Sequence, residues 1–366
     1  MNHRLFARLL AGTVAAVAFL PLTAVGPALT REVQTSLGFT FTHTKVNCPP
    51  GVSFPGGPMT PSVESADNIL QHYDEPAARA ATDNVLKTMR KSSDALRLIV
   101  WIAVGNATFA KTHTDHMGLL SSQNGEVPPR IATNLSAILH EAQSLGYTKS
   151  YVVFGNEGRS SPQCRSKEFG DCYDSKDLEA SWSIRKQLID ASRGSAQMPV
   201  YYDVSPESCP GAAATPLMTH NINEFTTYMV QHYAQSYSDE HFFVSCLGSP
   251  AKRAIAGLDG LSDLYRSLGV RPHTLDVHTY VADEAEAETV LGHASQDARA
   301  LGVPLTVLET SYDDQPVFSA IAKLRRRGEM GTLETVAIWP KTLTAACAFS
   351  IQWPADLGGV AQSLGQ

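Results

Sequence analysis

The chain has 366 residues, 43% hydrophobic and 18% charged, with 26 Gly and 21 Pro, the balance of a globular protein rather than a disordered or fibrous one. That length buries a large core, as one big α/β domain or as two smaller ones. The formal net charge of −7 excludes a dedicated nucleic-acid binder, which needs a basic footprint, and suits a neutral substrate.

The N-terminus reads as an export signal. His3, Arg4 and Arg8 precede the apolar run Leu9–Leu20, and the small residues Ala24, Gly26 and Ala28 follow it, so cleavage is expected after about residue 28. A retained anchor is the alternative, because Leu9–Val25 approaches the length that spans a bilayer. On either reading residues 29–366 form the working domain, exported to the periplasm or the exterior. Six cysteines, Cys48, Cys164, Cys172, Cys209, Cys246 and Cys347, are an even number in an oxidising compartment, and disulfides are expected. Cys164 and Cys172 suit a single-loop staple, and a Cys48–Cys347 bond would need the first and last strands to be neighbours. None has zinc-site spacing.

Downstream, short apolar runs alternate with longer amphipathic patterns. Gly38–Thr42 is the first run, with His43 behind it as a weak candidate for a substrate contact. A Gly/Pro-rich interval, Val46–Thr60, precedes a helical pattern over Ala78–Lys91, and the second run is Leu96–Val104. After the interval Asn106–Pro129 comes a helix over Ile131–Leu145, then the third run, Ser150–Phe154, which leads straight into Gly155-Asn156-Glu157. The interval Gly158–Lys176 precedes a helix over Leu178–Ser192. The fourth run, Pro199–Val204, is followed by Ser205-Pro206-Glu207.

A helix over Ile222–Tyr237 separates that run from the fifth, His241–Cys246, which ends in Gly248-Ser249-Pro250. A helix over Leu261–Leu268 leads to the sixth, Thr274–Thr279, where His278 and Tyr280 stand two residues apart, hence on one side of a strand. A helix over Glu284–Leu301 precedes the seventh run, Pro304–Leu308, which ends at Glu309. A helix over Pro316–Arg327 precedes the eighth, Thr335–Trp339. Eight near-continuous apolar strands alternating with helices predict a single (β/α)8 barrel with parallel strands buried on both faces. An open doubly wound sheet is the alternative, but no GxGxxG follows the first strand to support it.

The carboxylates at the ends of these runs define the chemistry. Cleaving a glycosidic bond needs two carboxyl groups across the bond, one to protonate the leaving oxygen and one to attack the anomeric carbon or activate water. Glu157 and Glu309 are the leading pair, because barrel strands converge on one mouth. Against this stands the plainer reading of each as a helix cap or surface ion-pair partner. A Tyr280 hydroxyl beside a carboxylate would hold it in position and ionised, whereas His278 as a hydrogen-bonded core residue is the bland alternative. Trp339 offers a face on which a sugar ring can stack, or simple packing under the barrel.

Asn156-Glu157, His278-x-Tyr280, Glu309 and Trp339, in that order, resemble the large clan of retaining (β/α)8 glycosidases. Gly248-Ser249-Pro250 is similar to the Gly-Gly-Pro of its β-xylosidase-like members. The resemblance implies Glu157 as acid/base, Asn156 on the sugar 2-hydroxyl, Glu309 as nucleophile, and no cofactor. Two features depart from it: Gly158 stands where the clan has Pro, and Glu157 follows the third run where the clan's acid/base ends the fourth strand. Either a short strand hides between Ser62 and Asp94 and the Pro199–Val204 run is an excursion, or the barrel differs from the clan, and because of that offset Asp203 and Glu207 stand as rival carboxylates.

Other chemistries find less support. There is no GxSxG elbow for a serine esterase. His113-Thr114-Asp115-His116 lies in a Thr-rich loop without the His-x-His of metal-dependent barrel hydrolases, so no metal is expected. Arg325–Arg327 reads as the solvated end of a helix, and Asn106-Ala-Thr and Asn134-Leu-Ser match the glycosylation acceptor pattern. The expected partner is a carbohydrate, with no nucleic acid and no membrane beyond the N-terminal anchor, and the expected form is a monomer. A glycan-binding barrel that does not cleave, and a transglycosylase using the same carboxylates, are the competing functions.

Overall fold

Strands that read as apolar along both faces must be covered on both, and the computed structural model shows how. It describes residues 36–41, 70, 73–90, 93–101, 125–155, 175–212, 216–281, 283–311, 314–339, 341–345 and 348–352. In chain order these form β1 (Ser36–Phe41), α1 (Pro76–Arg90), β2 (Ala95–Trp101), α2 (Pro129–Ser144), β3 (Lys149–Gly155), α3 (Ser175–Ser192) and β4 (Val200–Asp203). They continue with α4 (Pro216–Ser236), β5 (Phe242–Phe243 and Ser245–Leu247, interrupted at Val244), α5 (Ala251–Leu268), β6 (Leu275–His278) and α6 (Glu284–Leu301). The chain then gives β7 (Leu305–Ser311), α7 (Gln315–Arg326), β8 (Leu333–Trp339) and a hairpin of β9 (Lys341–Ala345) and β10 (Ala348–Gln352).

The first piece of β5 pairs with β4 through Tyr202 and Phe242, and the second pairs with β6 through Ser245 and Asp276. Between them the sheet runs β4-β3-β2-β1-β8-β7-β6, and every neighbouring pair in it is parallel. Both ends of the sheet are therefore one strand, and the sheet closes as an eight-stranded (β/α)8 barrel. Each of the eight apolar runs is one of its strands. Pro199–Val204 belongs to the barrel wall, so Glu157 follows the third strand and Glu207 the fourth.

Alternation along each strand sends residues to two compartments. Outward residues such as Leu96, Leu98, Val152, Val277 and Val336 are fully buried against the helices, where each large aliphatic side chain stabilises the fold by about 1.5–3 kcal/mol. Inward ones, Ala95, Tyr151, Phe243, Leu308 and Ala337, fill the barrel axis with Tyr201 packed against them. Two of the helices start at side-chain caps: Asp283 accepts from Glu286 N at α6 and Asp314 from Val317 N at α7. A disulfide joins Cys209 to Cys246 with Cα atoms 5.2 Å apart, a pairing different from the two singled out on sequence spacing. Cys48, Cys164, Cys172 and Cys347 lie outside the described residues, as do residues 1–28. Among the described residues no helix is long and apolar enough to cross a membrane.

Candidate active site

The inward apolar layer gives way to polar residues two positions further along several strands. Ala95 is followed by Arg97, Tyr201 by Asp203, Phe243 by Ser245, and β6 carries Asp276 and His278 on the same side. This period of two brings unrelated stretches of sequence to one level at the C-terminal mouth of the barrel.

Glu309 stands at the centre of that level. Arg97 Nη2 lies 2.7 Å from its Oε2, and Arg97 is buried. The Tyr280 hydroxyl donates to its Oε1, and His278 Nδ1 lies 3.5 Å from its Oε2. Tyr280 keeps 38% of its surface exposed, but burial of its hydroxyl and the adjacent Glu309 carboxylate hold its pKa far above the ordinary tyrosine value, so it stays a donor.

His278 is fully enclosed. Burial disfavours its charge, but Glu309, Asp276 and Glu207 outweigh burial and raise its pKa well above the usual value. Nδ1 donates to Glu207 Oε1 at 2.8 Å, and Nε2 lies 3.2 Å from Asp276 Oδ2. Asp276 is fixed through its other oxygen, which accepts from Thr306 Oγ1 at 2.7 Å and from Leu308 N at 3.0 Å. Arg97 and His278 thus both face Glu309 and hold its carboxylate in place.

Glu207 is the second carboxylate of the site. It is 7% exposed, and one of its oxygens, one of Glu309 and a ring nitrogen of His278 all lie within 4.8 Å of one another. Asp203, one turn earlier, is completely buried. Burial raises its pKa to about 6, opposed by a hydrogen bond from Ser245 Oγ at 2.6 Å. Two sets of donor atoms here, Asp203/Asp276/His278 and Glu207/His278/Glu309, have the spacing of a metal site.

Of the residues singled out in the sequence, Glu309, His278 and Tyr280 come together, with Glu207 and Asp203 beside them. Asn156, Glu157 and His43 lie outside the described residues, as does the His113–His116 cluster. Trp339 closes β8, paired with Ser311, and its side chain is outside the described part. Sequence reasoning passed over Arg97, Ser245 and Asp276. A lone Arg inside Ala95–Trp101, two residues from an inward Ala, was the available signal.

No protein-family model matches the sequence, and no curated protein matches it. Solved structures do. The chain is similar to a modular endo-beta-1,4-mannanase from Cellulomonas fimi, with TM-score 0.51 and 12% identity over 91% of this chain and 71% of that one. It is similar to a broad-specificity endoglucanase from an uncultured bacterium, with TM-score 0.55 and 13% identity over 91% and 95%. A psychrophilic family 10 endo-beta-1,4-xylanase gives TM-score 0.51 and 11% identity over 90% and 96%. The fold is the barrel of these glycoside hydrolases. At such identities the likeness concerns the fold, and function has to be argued from the site.

Proposed function

We propose that the protein is a glycoside hydrolase that cleaves O-glycosidic bonds of a poly- or oligosaccharide with retention of configuration. The observation that carries this is the Glu309 carboxylate, faced by Arg97, His278 and the Tyr280 hydroxyl, with an oxygen of Glu207 within 4.8 Å of one of its own. That proximity suits a retaining pair, whose carboxyl groups stand roughly 5–5.5 Å apart.

In this reading Glu309 attacks the anomeric carbon while an acid protonates the leaving oxygen, giving a glycosyl ester. Water, deprotonated by the same acid in its basic form, then breaks the ester and frees Glu309. Glu207 takes the acid/base part on the strength of its place after the fourth strand and its nearness to Glu309. Glu157 is the candidate that the Asn-Glu motif supplies. The neighbours' polysaccharide-cleaving names support an extended glycan as substrate, and the N-terminal apolar run together with the Cys209–Cys246 bridge supports work outside the cytoplasm.

The test is kinetic. Glu309→Ala should abolish hydrolysis, and added azide should yield a glycosyl azide of inverted configuration. Removing the acid/base should leave a variant that azide reactivates with retained configuration. Glu207→Ala and Glu157→Ala compete for that behaviour. Activity of Glu309→Ala within a few-fold of the native protein would refute the assignment.

A further inference from the structure

Glu207 is the only non-glycine among the described residues with a positive φ, +51°, a backbone state that L side chains rarely adopt and that needs its surroundings to impose it. The surroundings are unusually specific. Glu207 N donates to Ser245 Oγ at 2.9 Å, and that hydroxyl spends its one proton on Asp203 Oδ2 at 2.6 Å. Asp203 Oδ1 in turn accepts from Ser205 N at 3.2 Å. Ser245 and Asp203 are completely buried.

The same segment is fastened on its far side. Cys209, two residues past Glu207, is bridged to Cys246, the residue after Ser245. α5 presses on it without side chains: a Cβ on Gly260 would lie 2.2 Å from Pro210 O, and one on Gly257 would lie 3.1 Å from Cys209 Cβ. Thr226 Oγ1 donates to Ser208 O at 2.6 Å. With the chain so confined, the Ser245 hydroxyl is the group that fixes the peptide of Glu207 itself.

We infer that Ser245, oriented by Asp203, is a positioning residue for the acid/base carboxylate, setting the left-handed backbone that aims Glu207 into the site. The inference rests on the proposed role of Glu207. It predicts a defect in proton donation to the leaving group and none in nucleophilic attack, because the Ser245 hydroxyl is committed to Glu207 N and Asp203 Oδ2.

The experiment compares kcat/KM of the full chain and its Ser245→Ala variant. One set of substrates is the 2,4-dinitrophenyl glycosides of cellobiose, mannobiose and xylobiose, whose leaving group departs unprotonated. The other is the matching unactivated oligosaccharides. Ser245→Ala should lose roughly 10- to 100-fold on the unactivated sugars, part of what an acid catalyst supplies, and less than about 3-fold on the activated ones. Equal losses on both sets, or no loss on either, would overturn the inference. If Glu207→Gln also fails to discriminate the two sets, the role of Glu207 is what has failed. If Glu207→Gln discriminates and Ser245→Ala does not, only the positioning claim falls.

Discussion

Glu309 owes its character to three side chains that reach it from β2 and from the end of β6, and they contribute in different ways. Arg97 and His278 supply charge. Tyr280 supplies a directed hydrogen bond from a residue with 38% of its surface in solvent. Removing the hydroxyl in Tyr280→Phe should therefore separate chemistry from stability. A hydrogen bond to a charged group contributes about 1.5–3 kcal/mol, so kcat/KM should fall roughly 10- to 100-fold. The thermal midpoint should move little, since no buried group loses its only partner. Steady-state kinetics with a melting curve checks this, and a large loss of stability with unchanged kcat/KM would show the bond to be structural. Arg97 is a poorer probe, because removing one member of a buried ion pair strongly destabilises the fold.

At the scale of elements, β8 has a polar end opposite to the catalytic one. Glu334 near the start of β8 meets Lys149 Nζ of β3 at 2.9 Å and lies 2.9 Å from His273 Nε2 ahead of β6. Burial alone would raise its pKa, but His273 and Lys149 outweigh that and bring it from 4.5 to about 2. The folded state therefore binds this proton less tightly than the unfolded one. Its stabilisation is complete above about pH 4.5 and is lost as pH falls to about 2, on the order of 3 kcal/mol in all. Urea midpoints between pH 5 and pH 2.5 should fall more steeply for the native protein than for Glu334→Gln, and parallel curves would contradict this.

The strands were legible because a sheet covered on both faces needs continuous apolar runs, and all eight runs became strands. α6 was read to the residue, Asp283 and Gly302 marking its ends. α5 was read as Leu261–Leu268 and begins at Ala251, because Gly257 and Gly260 sit near its middle. They are small so that the segment Cys209–Ala212 can approach, which interrupts the amphipathic pattern. Ser245 was invisible for a related reason. A serine in an apolar strand has no signature until its two hydrogen-bond partners, one on each side, are known. Glu207 could be named only as a rival, because its standing depended on Pro199–Val204 being the fourth strand of the wall.

For the molecule as a whole, closure of the barrel is what makes the chemistry possible. Arg97, Glu207, His278 and Glu309 are spread over more than two hundred residues of sequence and meet because parallel strands end at one mouth. The central claim is that a sugar becomes covalently attached to Glu309 during the reaction. Incubating the protein with 2,4-dinitrophenyl 2-deoxy-2-fluoro glycosides of cellobiose, mannobiose and xylobiose, then mapping the modified peptide by mass spectrometry, tests it directly. The account predicts one added glycosyl group, on the peptide carrying Leu305–Ser311 and attached to Glu309. Hydrolytically active protein that never acquires the label, or that carries it on Glu157 or Glu207, would contradict it.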